Sequence, residues 1–158
     1  MQTYCNVEWD TQSVVAKVVE PHDIVLEVGG RYGGTSCAVA IQQNNSGKLI
    51  VVEPDPLVWA IHEFNMLTHN CASFSVFGVL GDQDLTVLAN SESYNTKTSN
   101  DKEAQGVRVK HFTWDEVEKN TGMVVDTVIM DCEGCWTDLV KNNLEKFKNV
   151  KKVILGKY

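Results

Sequence analysis

The sequence is short of basic charge, of proline and of long apolar runs, and each shortage removes a class of function. Its 158 residues carry 14 lysines and arginines against 21 aspartates and glutamates, a formal charge of -7. Proteins that grip a phosphate backbone usually show a basic face, and no lysine or arginine cluster occurs here before the C-terminus. Nucleic acid is therefore not an expected partner. No apolar stretch approaches the ~18 residues that cross a bilayer, and "MQTYCNVEWD" lacks the basic start, apolar core and small-residue cleavage site of an export signal. The expectation is a soluble, cytoplasmic chain with no membrane partner. The five cysteines, Cys5, Cys37, Cys71, Cys132 and Cys135, are odd in number and scattered through apolar segments. That usage suits a reducing compartment better than a disulfide framework.

With 43% apolar and 22% charged residues, the chain suits one globular domain spanning 1–158. "DIVLEV" (23–28) and "KLIVVEP" (48–54) are short apolar runs that each end near a carboxylate and a breaker, as doubly buried strands do. Between them "TSCAVAIQQNN" has helical spacing and opens on Thr35 or Ser36 as a possible cap. A second helix is predicted over 56–70, with Pro56 in its first turn and Val58, Ile61, Phe64 or Asn65, and Leu67 near one face. Further strands are predicted at 73–80, 124–131 and 150–155, with a helix over 136–147. Strands alternating with helices predict an α/β fold, a doubly wound, mostly parallel sheet with helices on both faces. Residues 82–112 break the rhythm and read as an inserted polar hairpin, with strands near 85–89 and 107–112 around a mobile tip.

The loop "LEVGGRYGGTS" (26–36) carries the strongest chemical signal. A dinucleotide fingerprint needs glycine where Arg31 stands, and a phosphate-cradling loop needs a lysine that is absent after Gly34. What remains is Glu27 at a strand end, then Gly29 and Gly33 framing a turn whose backbone can come close to a ligand. Glu53, at the end of the next strand, is placed like the acid that takes ribose hydroxyls in Rossmann-type sites. Two carboxylates and a glycine turn suit a nucleoside with positive charge and no phosphate. S-adenosylmethionine (SAM) meets that description.

"LEVGGRYGGTS", "VVEPDP" and "VDTVIMDCEG", in this order and spacing, resemble the first, second and fourth-strand motifs of the FkbM-like branch of class I SAM-dependent methyltransferases. "FTWDEV" (112–117) resembles the short piece that precedes that fourth strand in the family. The resemblance covers roughly residues 20 to 156. It implies a Rossmann-like fold in which Glu27, Gly29 and Gly33 surround the methionine part of SAM, Glu53 the ribose and Asp82 the adenine. Asp131 and Glu133 would then face the reacting centre. The acceptor implied is a small-molecule or sugar hydroxyl, with S-adenosylhomocysteine as product.

Two positions depart from the family: Met130 replaces its usual lysine and Trp136 its usual acid. The chain also ends after the fifth predicted strand, so the expected sheet lacks the antiparallel strands six and seven of the class. An exposed sheet edge would then favour pairing into a homodimer.

Methyl transfer is a single displacement, for which a site must chiefly align two reactants and exclude water. Asp131, then Glu133 and His111, are the candidate bases for an acceptor hydroxyl. Asp131 could instead hold a divalent cation, although His22, His62, His69 and His111 show no metal-ligand spacing and no resident metal is expected. Trp136, beside the 131–134 turn, is the aromatic residue most suited to a substrate pocket. Two rival functions remain. One is a catalytically inactive or truncated SAM-binding interaction module, because function lives in the site and not the fold. The other is a redox protein built on Cys132-Glu133-Gly134-Cys135, against which stand a motif far from the N-terminus and no proline after Pro56.

Overall fold

Successive residues of the central strands face opposite hydrophobic layers, and this alternation makes a sheet that must be covered on both sides. The computed structural model describes residues 8–88, 96–132 and 135–156. In chain order the elements are α1 (Trp9–Val18), β1 (Val25–Val28), α2 (Gly34–Gln42), β2 (Leu49–Glu53), α3 (Trp59–Thr68) and β3 (Phe74–Phe77). There follow β4 (Val79–Leu80), β5 (Leu85–Leu88), β6 (Thr98–Ser99), β7 (Gly106–Val109), β8 (His111–Phe112) and α4 (Trp114–Thr121). The last are β9 (Thr127–Met130), α5 (Trp136–Asn142), α6 (Leu144–Phe147) and β10 (Lys152–Leu155).

Five strands form a parallel sheet in the order β10-β9-β1-β2-β3. Val25, Leu49, Val51 and Ile129 pack with Val15 of α1, Val39 of α2 and Met66 of α3 on one face. Leu26, Ile50, Val52 and Val128 pack with Trp114 and Val117 of α4 and Leu139 of α5 on the other. The chain is thus a doubly wound, Rossmann-like α/β fold, as the strand and helix alternation predicts. Strand order reverses between β1 and β9, and in such sheets the crevice outside the carboxyl ends at that point is where ligands bind.

Several elements differ from the sequence reading. Thr35 and Ser36 do not cap α2. Gly33, at φ 85°, occupies that position, and the two hydroxyls turn to Glu8 and Glu27. The face predicted for α3 is largely wrong. Val58, His62 and Met66 are buried, whereas Ile61, Phe64 and Leu67 are 47%, 65% and 83% exposed. Backbone geometry after β2 sets this rotation, since the helix begins at Trp59, beyond the turn containing Pro56. The strand predicted over 73–80 divides at Gly78, so that β4 leaves the main sheet to pair in parallel with β8. The helix predicted over 136–147 breaks at Asn143, which stands just before α6 and turns its side-chain amide to the Leu139 carbonyl.

The insert does form antiparallel structure, β6-β5-β7, with Thr86 opposite both Ser99 and Arg108. Part of the tip expected to be mobile, residues 89–95, lies outside the described residues. The cysteines depart from the expectation of free thiols: Cys37 is bonded to Cys71, and Cys132 to Cys135. The first pair ties α2 to the chain after α3, which spacing in sequence cannot reveal. No helix among the described residues is long and apolar enough to cross a membrane.

Candidate functional site

Carboxyl ends of β1, β2 and β9 open into a cleft of about 1070 Å³. Val28 and Gly29 supply one wall, Val52, Glu53 and Pro54 a second, and Asp131 and Cys132 a third. The segment Gly78–Gln83 and parts of the insert close the far side. Gly29 makes the meeting of β1 and β9 possible. At φ 95° a side chain there is strained, and its β-carbon would run into the Asp131 carbonyl. Gly30 has the same role on the other side of the loop, where a β-carbon would strike Val51 Cγ1.

The loop is tied to the end of β2 by its own backbone. Arg31 N–H donates to Glu53 Oε2 at 2.7 Å, and Asp55 N–H donates to Oε1 of the same carboxylate at 2.7 Å. Arg31 Nη1 donates to Asp55 Oδ2 at 2.8 Å and to Thr96 Oγ1 at 3.0 Å, so the loop, the β2 end and the insert share one polar network. Glu53 lines the cleft but is only 1% exposed. Burial raises its pKa, opposed by the two backbone donors.

Glu27 lies deeper and does not line the cleft. It is fully buried, its Oε2 accepts the Ser36 hydroxyl at 2.5 Å, and its Oε1 has no partner. Desolvation therefore pushes its pKa well above the usual carboxylate range. Asp131 is half-buried at the cleft with Oδ2 unpartnered, and desolvation, then the negative charge of Glu8, raises its pKa to about 6.

The cleft thus gathers Gly29, Glu53, Asp82 and Asp131 of the sequence-predicted residues. Gly33 sits behind the loop, facing Met66 and His62. His111 is outside the cleft lining and pairs through Nδ1 with Asp84 Oδ1 at 2.7 Å. Trp136 is 49% exposed and likewise not part of the lining. Glu133 lies outside the described residues. His62 is a packing residue, held by the Arg31 carbonyl at 3.1 Å and close to the Ser75 hydroxyl.

The cleft also holds residues that no motif marks. Glu8 and Asp10, at the start of α1, close one side, and Asp138, Asn142 and Asn143 of the α5 region face them from the β9 end. Helical spacing in 9–18 could have flagged α1, but its register against β1 is set only by packing. Among the described residues six carboxylates, those of Glu8, Asp10, Glu53, Asp82, Asp131 and Asp138, line the cleft against one guanidinium, Arg31. Such a cleft disfavours anions and draws cations.

No protein-family model matches the chain, and no curated protein does. Among solved structures the chain is similar to a Pyrococcus horikoshii protein named "putative transferase", at 22% identity and a TM-score of 0.38. The match covers 49% of this chain and 29% of that one, so the chain spans less than a third of that protein's length. At that TM-score the likeness carries no argument about activity.

Proposed function

We propose that the cleft binds SAM and that the chain is a methyltransferase of FkbM-like type, acting on a hydroxyl of a small molecule or sugar. The observation that carries this reading is the gathering of six carboxylates around a glycine turn at the reversal point of a doubly wound sheet. An excess of negative charge without a phosphate cradle suits a nucleoside that is itself cationic. The unpartnered Asp131 Oδ2, buried at the cleft, is a further acceptor awaiting a donor or a cation. When bound, SAM supplies an electrophilic methyl group on its sulfonium.

In this reading Glu53 turns its remaining acceptor capacity to the ribose hydroxyls, and Asp82 lies toward the adenine. Glu27, buried behind the loop and bonded to the Ser36 hydroxyl, supports the glycine turn rather than facing the methionine end. Asp131, with its raised pKa, takes the proton of the acceptor hydroxyl or holds a divalent cation beside it. Glu133 and His111 follow as candidate bases, His111 lying outside the cleft lining.

The test is calorimetric titration with S-adenosylhomocysteine on the wild type and Glu53→Ala. Micromolar affinity, about -8 kcal/mol, weakened tenfold or more by the substitution, is the expected result. Absence of heat and of thermal stabilisation from folded protein would sink the SAM reading.

One observation favours a second reading, an interaction module that forms a homodimer. Ile61, Phe64 and Leu67 of α3, with Leu57 just before it, present apolar surface outward, and β3 is an outer strand of the five-stranded sheet among the described residues. Sedimentation equilibrium of the wild type and Phe64→Glu separates the two. A purely monomeric wild type removes the dimer.

A further inference from the structure

Cys132 and Cys135 both line the cleft, directly after Asp131 at the end of β9. Each is half-buried, and the two are bonded across a Cα separation of 5.6 Å. The other pair lies in a different environment. Cys71 is 7% exposed and belongs to the core with Val39 and Met66, and half-buried Cys37 of α2 packs against that core. One disulfide is therefore reachable through the cleft, whereas the other lies away from it, with Cys71 buried and Cys37 half-buried against the core.

We propose that Cys132 and Cys135 are a reversible dithiol site, exchanging with low-molecular-weight thiols and disulfides of the glutathione type that enter the cleft. Access governs exchange as strongly as thiolate chemistry does, and the cleft gives it to this pair alone among the described cysteines. Each oxidation begins with the thiolate of one cysteine attacking a sulfur of the small disulfide. A protein–small-molecule mixed disulfide forms and one small thiolate leaves. The thiolate of the second cysteine then attacks the sulfur of the first, closing Cys132–Cys135 and releasing the second small thiolate. Two electrons and two protons leave the protein dithiol, and both appear on the two small thiols.

The site differs from a dedicated oxidoreductase in what surrounds it. The disulfide is part of the wall of an acidic ligand cleft, next to a carboxylate whose pKa depends on its surroundings. Opening it replaces a cross-linked wall with two thiols at the position where Asp131 meets the cavity, so the redox state of the pair becomes a property of the binding site. This inference stands on the geometry of the two pairs and holds whether or not the ligand is SAM.

Differential alkylation tests it. The folded protein is treated with reduced glutathione, free thiols are capped with iodoacetamide, and each cysteine is read by peptide mass spectrometry. Labels at Cys132 and Cys135 are expected at least tenfold faster than at Cys37 and Cys71. Equal rates, or labelling of all four only when the protein unfolds, overturn the proposal. The order of attack is tested with Cys132→Ser and Cys135→Ser exposed to oxidised glutathione. Each variant is expected to keep a stable glutathione adduct on its remaining cysteine, whereas the reduced wild type resolves the adduct and closes its own disulfide. A wild type that accumulates adduct as the variants do refutes exchange between the two cysteines.

Discussion

Replacing Asp131 by asparagine tests whether the cleft carries a charge that costs the fold stability. The carboxyl has a pKa of about 6 in the folded chain against 3.8 for the free side chain, because burial and Glu8 both disfavour its anion. Between pH 4 and pH 6 the folded state keeps a proton that the unfolded state has released, so raising the pH favours unfolding. The penalty is absent below the unfolded value and complete once pH has passed the folded one. Each tenfold change in proton affinity is worth about 1.4 kcal/mol, which puts the full penalty at about 3 kcal/mol. Water still reaches this half-buried group, and screening reduces the figure to about 2 kcal/mol.

Asp131→Asn removes the titration while keeping the shape. The variant is expected to be about 2 kcal/mol more stable than wild type at pH 8, with the advantage vanishing near pH 4. Urea denaturation of both proteins across that range is the assay. Glu27 and Glu53, whose pKa values are also raised, tilt both curves, and because the Asp131 charge is one cause of the Glu27 shift, the difference reports Asp131 together with its coupling to Glu27. Two curves that run parallel from pH 4 to pH 8 would refute the argument. Under the SAM reading the same substitution abolishes methyl transfer or greatly slows it, since stability is exchanged here for a functional charge.

Other outcomes follow from single contacts. Loss of the Cys37–Cys71 bond, by paired serine substitution, is expected to cost about 4 kcal/mol, because a 34-residue separation is no longer closed in the unfolded chain; urea unfolding under non-reducing conditions measures it. Gly29→Ala forces a β-carbon into the Asp131 carbonyl at a positive φ and is expected to destabilise by about 3 kcal/mol or more, read as a fall in melting temperature. Met66→Ala is expected to cost about 2–4 kcal/mol, whereas Phe64→Ser and Leu67→Ser stay within about 0.5 kcal/mol. The reverse ranking in denaturant midpoints would show that α3 packs by its other face. Ser36→Ala leaves both oxygens of the buried Glu27 without a partner and is expected to cost about 1–3 kcal/mol. A denaturation midpoint equal to that of wild type would contradict it.

Short-range chemistry was readable. Ile24, Val25, Leu26 and Val28, followed by Gly29, announce a buried strand and a tight turn. The alternation of strands with helices predicts a doubly wound sheet, because only helices on both faces can bury such uninterrupted strands. Gly29, Glu53 and Asp131 were selectable because each stands at or just beyond a strand end, and the ends of parallel strands share one edge, whereas Asp82 followed only from the resemblance.

Long-range geometry was not readable. The rotation of α3, which hides His62 and exposes Phe64, depends on where the turn after β2 releases the chain. In a helix apolar on several sides, periodicity leaves that choice open. Thr35 and Ser36 look like caps in sequence, but only the fold brings Glu8 and Glu27 within reach of their hydroxyls. Glu8, Asp10, Asp138 and Asn142 enter the cleft from elements at opposite ends of the chain, and no local pattern records that meeting. The pairing of Cys37 with Cys71 has the same cause. Sequence by itself determined which segments supply the central parallel strands and which carboxylates stand at their ends, because these follow from chemistry within a few residues. Tertiary structure alone decided which carboxylates are buried, which face the cleft and which cysteines meet, because solvent exclusion and proximity are properties of packed elements.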